Sequence, residues 1–166
     1  ISELKEKWCE RTPYLNNILL SPENKNIQYV DKEQKMISIK NSIIFASRNI
    51  IKATIPSNIQ IIKSFAFSDC IKLNEITFSE DSELKKIERS AFSNTQIKKI
   101  FIPKNFEKFE EGWCHNMLKL NNIQLSERNA NFSYLDKEQK IIIDSINNLF
   151  DLLYNVKKYG IQNVKE

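Results

Sequence analysis

The sequence predicts an α/β repeat solenoid: one parallel β-strand per 23–24-residue unit, short helical or 3₁₀ turns opposite the strands, and β-hairpin insertions. Three observations carry that expectation. Apolar residues recur in fixed columns, each unit ends in strict apolar–polar alternation, and a longer duplication is laid over the short repeat.

The columns come from three aligned segments, Ile59–Phe78, Leu84–Ile102 and Phe106–Leu125. Ile62, Ile87 and Phe109 share one column; Ala66, Ala91 and Trp113 the next; then Phe67, Phe92 and Cys114. Leu73, Ile97 and Leu120 open the final part of each unit, which closes on Phe78, Ile102 and Leu125. Projected back by one period, the pattern falls on Ile50, Ala53 and Ile55.

Each closing triple, such as Leu73-x-x-Ile76-x-Phe78, reads as a short strand, because side chains alternate sides along an extended backbone. Ile76 and Phe78 then face a core, and Glu75 and Thr77 face away. No unit can bury its inner face alone, so adjacent units stack their strands in parallel. The Ala66–Cys70 stretch is too short for a stable helix and is expected to form a single helical or 3₁₀ turn.

Residues 8–45 match residues 113–150 at a constant offset of 105, with 18 identities in 38 positions. Trp8-Cys9 pairs with Trp113-Cys114, Tyr29 with Tyr134, and the run DKEQK occurs at 31–35 and at 136–140. In both copies apolar pairs flank the polar run, the signature of a hairpin with a loop of about five residues. The chain is expected to form a single solenoid over residues 1–166, with hairpin extensions near 22–45 and 127–150 and the array continuing beyond both ends. Near the C-terminus, Ile146, Leu149, Phe150 and Leu153 have helical spacing, whereas Val156, Tyr159 and Ile161 repeat the strand triple and favour a further repeat.

The run IPSNIQIIKSFAFSDCIKLNEITF, with its strand ending in Ile-Pro and its Ala-Phe-x-x-Cys turn, resembles the BspA-like leucine-rich repeat family. Departures are Trp113-Cys114 for Ala-Phe, Thr95 for the cysteine, and TFSEDSEL for the Ile-Pro connection. The resemblance implies a large protein on the surface of a host-associated bacterium or a parasitic protist, and a role in adhesion or in binding host extracellular or cell-surface proteins. It implies a surface or secreted location and leaves the cytoplasm open.

Nothing in the composition points elsewhere. With 41% hydrophobic and 28% charged residues the chain can bury a core and is not disordered. The net charge of +4 is spread through alternating Lys and Glu, which reads as a solvated mixed-charge surface and not as a nucleic-acid stripe. No apolar run approaches the ~20 residues of a membrane helix.

No catalytic residue, cofactor site or metal site is expected. The single histidine, His115, falls at a solvent-facing position without a nucleophile or acid partner. Cys9, Cys70 and Cys114 fall in inward columns without zinc-ligand spacing. Glu80-Asp81 and Glu110-Glu111 lie in loops, and two glycines are too few for a phosphate-binding loop. The chain therefore reads as a non-enzymatic module that binds a protein.

The candidate binding face is the set of outward strand positions: Asn17, Leu19, Lys52, Thr54, Glu75, Thr77, Lys99, Phe101, Asn122 and Gln124. Phe101 is the candidate anchor, since aromatic residues dominate binding hot spots. Two rival roles remain open at this level: a structural spacer projecting another domain, and a fragment of an enzyme whose catalytic domain lies elsewhere.

Overall fold

The computed structural model describes residues 4–5, 7–33, 35–134 and, for the backbone, 142–144. The expectations placed on the second DKEQK run, on Ile146, Leu149, Phe150 and Leu153, and on Val156, Tyr159 and Ile161 lie outside the described residues.

Twelve strands are described: β1 (Ile27–Tyr29), β2 (Met36–Ile39), β3 (Ser42–Ala46), β4 (Lys52–Thr54), β5 (Ile61–Ile62), β6 (Glu75–Thr77), β7 (Lys86–Ile87), β8 (Lys99–Ile102), β9 (Lys108–Phe109), β10 (Asn122–Leu125), β11 (Phe132–Tyr134) and β12 (Ile142–Asp144). Strands β4, β6, β8 and β10 fall on the closing triples. They pair in parallel as β4–β6 and β8–β10, in the register of the columns: Ala53 opposes Ile76, and Ile100 opposes Ile123. Between β6 and β8 the regular ladder lapses, where the TFSEDSEL connection and the one-residue-longer period fall.

A second row of strands runs along the opposite side of the coil. β3, β5, β7 and β9 pair in parallel, with Ile43, Ile62, Ile87 and Phe109 in register. The antiparallel strands β2 and β1 extend this sheet to six strands. Each turn thus carries two strands where the sequence pattern predicts one. The fold is a flattened β-solenoid.

The columns fill the space between the two rows. Ile62, Ile87, Ala66, Ala91, Trp113, Phe67, Phe92, Leu73, Ile97, Ile100 and Ile102 are all fully buried. The rings of Phe67 and Phe92 stack from turn to turn, 5.1 Å between centroids. In the next turn the large and small positions exchange: Trp113 takes the alanine column and Cys114 the phenylalanine column. Volume is thereby conserved across the layer.

The expected helical or 3₁₀ turns are not formed; no helix occurs among the described residues. Positive φ angles four residues apart break any helix in each arc: Lys7 and Arg11, Phe65 and Asp69, Ser90 and Asn94, Gly112 and Asn116. Between them, amides alternate in direction. Ala66, Ser68 and Cys70 donate three residues back, while Phe65, Phe67 and Asp69 donate to Arg89, Ala91 and Ser93 of the next turn. Hydrogen bonds between turns therefore continue around the corner, which a helix would have used up internally. Side chains follow the same line: the Asn94 amide donates to Asp69 Oδ1 (2.7 Å) and that of Asn116 to Asn94 Oδ1 (2.6 Å).

The arc after β3 is shorter, and Arg48 fills the gap. Its side chain is buried (2% exposed) and makes no ion pair among the described residues. Instead it donates to the carbonyls of Cys9 (3.1 Å), Thr12 (3.4 Å), Ala46 (3.2 Å) and Ala66 (3.0 Å), and lies 4.8 Å over the Phe45 ring. A rigid fork of donors joins the N-terminal segment to the coil, and carbonyl dipoles offset the buried charge.

Candidate functional site

The strand face is built by alternation. With Ala53, Ile76, Ile100 and Ile123 buried, the residues on either side must point outward. Lys52, Glu75, Lys99 and Asn122 form one row across the four strands, and Thr54, Thr77, Phe101 and Gln124 form the second.

Seven of these eight side chains are exposed. Phe101 departs from the expectation that it faces away: it is half-buried and packs against the edge of the core. A large ring at an outward position gains by covering neighbouring apolar surface. Leu19 is 90% exposed, and Asn17 is exposed as well.

The electrostatics of the face are mild. Lys52 Nζ pairs with Glu75 Oε2 at 2.7 Å across β4 and β6, but both groups are more than half exposed, so solvent screens the pair. Lys99 makes no ion pair among the described residues. The opposite sheet is more tightly knit. Lys63, Glu88, Lys86 and Glu110 form a chain of ion pairs across three turns, Lys63–Glu88 at 3.1 Å, Lys86–Glu88 at 3.6 Å and Lys86–Glu110 at 2.5 Å. The hydrogen bond to Glu110 raises the Lys86 ammonium above its usual range. Burial acts to raise Glu110, but the Lys86 and Arg89 donors outweigh it and hold the carboxyl below its ordinary value. Charges that satisfy one another offer no stripe to a polyanion.

Sequence reasoning missed the apolar border of the face. Ile51, Ile71 and Leu118 are 53%, 61% and 65% exposed. Ile51 precedes β4, while Ile71 and Leu118 hold equivalent positions in the bends leading to β6 and β10. The available signal was the column Ile71, Gln96, Leu118, in which a polar residue stands among apolar ones.

No constellation for catalysis emerges among the described residues. Cys9, Cys70 and Cys114 are buried thiols without a disulfide. Burial pushes Cys70 up to about 11 and Cys114 up to about 12, so neither supplies a thiolate near neutral pH. His115 is exposed on its arc, and no group of three potential metal ligands converges among the described residues. No helix among them is long and apolar enough to cross a membrane.

Comparison with known proteins agrees with this geometry. The sequence profile of the BspA type leucine rich repeat region matches residues 37–151 in six copies, well over half of the chain. The chain belongs to that family. A leucine-rich repeat protein from Eubacterium ventriosum shares the fold with a TM-score of 0.60 at 23% identity, covering 73% of this chain and 32% of the other. The pneumococcal vaccine antigen PcpA gives 0.54 at 24% identity, covering 58% and 24%. A leucine rich cell surface protein from Faecalibacterium prausnitzii gives 0.50 at 20% identity, covering 57% and 23%. The chain thus spans a third or less of the length of these structures. No curated protein matches it.

Proposed function

We propose that the chain is a non-catalytic protein-binding module of a surface protein and that it engages its ligand with the strand face. The observation that carries this reading is the arrangement of two rows of exposed polar side chains across four strands, bordered by exposed Ile51, Ile71 and Leu118. Apolar side chains beside near-neutral polar rows suit a protein surface, whereas a polyanion calls for unpaired cations. The family, and the naming of two structural neighbours as a cell surface protein and a vaccine antigen, support a place outside the cell. A spacer that only projects another domain is the competing role.

The test is binding of the chain to purified extracellular-matrix and cell-surface proteins, followed by the double substitution Thr77→Lys and Gln124→Lys. Both positions are exposed, so the fold is retained while two charges interrupt the face. Affinity is expected to fall about tenfold or more. Absence of any binding supports the spacer. Binding that ignores the double variant but is lost on replacing the exposed Lys32 and Glu33 of the β1–β2 loop moves the site to the hairpin.

A further inference from the structure

The hairpin of each duplicated block places a tyrosine hydroxyl against the strand triple of the same block. Tyr29 Oη donates to the carbonyl of Ile18 (2.7 Å) and accepts the amide of Leu20 (3.2 Å). Tyr134 Oη, 105 residues later, bonds the carbonyl of Ile123 (3.4 Å) and the amide of Leu125 (2.8 Å). The same two backbone groups are bridged in both blocks.

Those groups have a defined use elsewhere in the coil. Leu20, Ile55 and Leu125 share one column, and the amide of Ile55 donates to the Thr77 carbonyl of the next strand at 3.0 Å. In a parallel ladder, one residue of the incoming strand gives its N–H to the carbonyl at one position and takes the N–H two residues on with its own carbonyl. A phenol oxygen can do both, since it donates one hydrogen bond and accepts others. At Leu20 and Leu125 the tyrosine stands where the next strand stands at Ile55.

The pairing pattern follows. Among the described residues, β4 is bonded to β6 but not to the 17–20 segment that precedes it in the column, and β10 pairs with β8 alone. Neighbouring contacts are out of register as well: the Asn16 carbonyl accepts the Ser47 hydroxyl, while in the next turn the amide of Asn74 donates to the Ile51 carbonyl.

We propose that the two hairpins are sheet terminators, in which Tyr29 and Tyr134 each replace one residue of the strand that would otherwise continue the strand face. The face is then a bounded window from β4 to β10. A ligand lies across its side chains, and neither a ligand's strand nor a second copy of the chain adds at the β10 edge, because the groups that template strand addition are occupied.

The test is amide hydrogen exchange in the Tyr134→Phe and Tyr29→Phe variants, which keep the ring and lose the oxygen. The Ile55 amide, bonded to a true strand, is the internal reference. Loss of protection is expected at Leu125 in the first variant and at Leu20 in the second, about tenfold each, the weight of one hydrogen bond. Ile55 should be unchanged in both. Unchanged protection at Leu125 and Leu20, or a uniform loss that includes Ile55, overturns the proposal. No partner enters the measurement, so its outcome is separate from that of the binding test.

Discussion

Trp8 and Trp113 hold the same place in two copies of one sequence block, yet Trp113 is fully buried and Trp8 only half-buried. In the second copy Trp113 stacks on Phe109 at 4.3 Å and 25°, and Phe109 in turn meets Phe106 at 4.4 Å and Phe132 at 5.7 Å. The positions of Phe109 and Phe132 are Leu4 and Ile27 in the first copy. There Trp8 leans on Phe45 at 5.7 Å, and a groove of about 650 Å³ remains among Leu4, Trp8, Ile18, Ile27 and Ile37. The second copy also lies on the Leu84–Ile102 turn through both rows of strands. A repeat's stability therefore belongs to the interface it forms, and identical motifs acquire different weights from their neighbours.

Arg48 gives the largest handle on this difference, because it ties the first copy to the coil. Arg48→Ala leaves a cavity and orphans the carbonyls of Cys9 and Thr12. A loss of about 4–5 kcal/mol in denaturant unfolding is expected. Hydrogen exchange should rise first at residues 7–20 and last in the 84–125 turns. Uniform loss of protection would show that the two copies are not separately anchored.

The tryptophans test the comparison itself. Trp113→Ala is expected to cost about 3–5 kcal/mol, and Trp8→Ala about 1–2 kcal/mol, since only the former empties a closed site. Equal shifts in unfolding midpoint would mean that the aromatic cluster of the second copy contributes nothing special. Smaller still is the arc ladder. Asn94→Ala removes two side-chain bonds at a residue with φ of 62° and should cost about 1–2 kcal/mol. Asn94→Gly keeps the backbone comfortable and should cost less.

The smallest effect is pH-dependent. Glu110 has its carboxyl lowered in the folded state, so its contribution is present above the ordinary carboxylate value and is lost as pH falls through the folded one. Stability measured from about pH 5 down to pH 3 should decline less steeply in Lys86→Met than in the parent chain. Identical slopes would remove the ion-pair chain from the energetics of the second sheet.

Phe67, Phe92, Ile76 and Ile100 show what could be read directly. Their column and parity alone placed them inside, and all four are buried. Parity likewise placed Lys52, Thr54, Glu75 and Thr77 outside. Burial on a stacked coil is set by period, and period is written in the residue types. Phe101 shows where that logic stops, because parity gives a side chain's direction but not how far a large ring folds back.

The sequence by itself determined the repeat, its register, the core columns and the duplication, since each is a pattern of apolar spacing. Only the tertiary structure decided the rest. It replaced the expected helical turns with arcs held by positive φ angles, in which every second amide bonds the next turn, a partner that a helix would have kept within its own turn. It added a second row of strands, set β3 as a third antiparallel strand beside the β1–β2 pair, and placed Arg48 among carbonyls from distant segments. It also turned a repeated tyrosine into the end of a sheet. These features depend on which groups meet across turns, and hydrogen-bond partners separated by tens of residues leave no local pattern for a period to reveal.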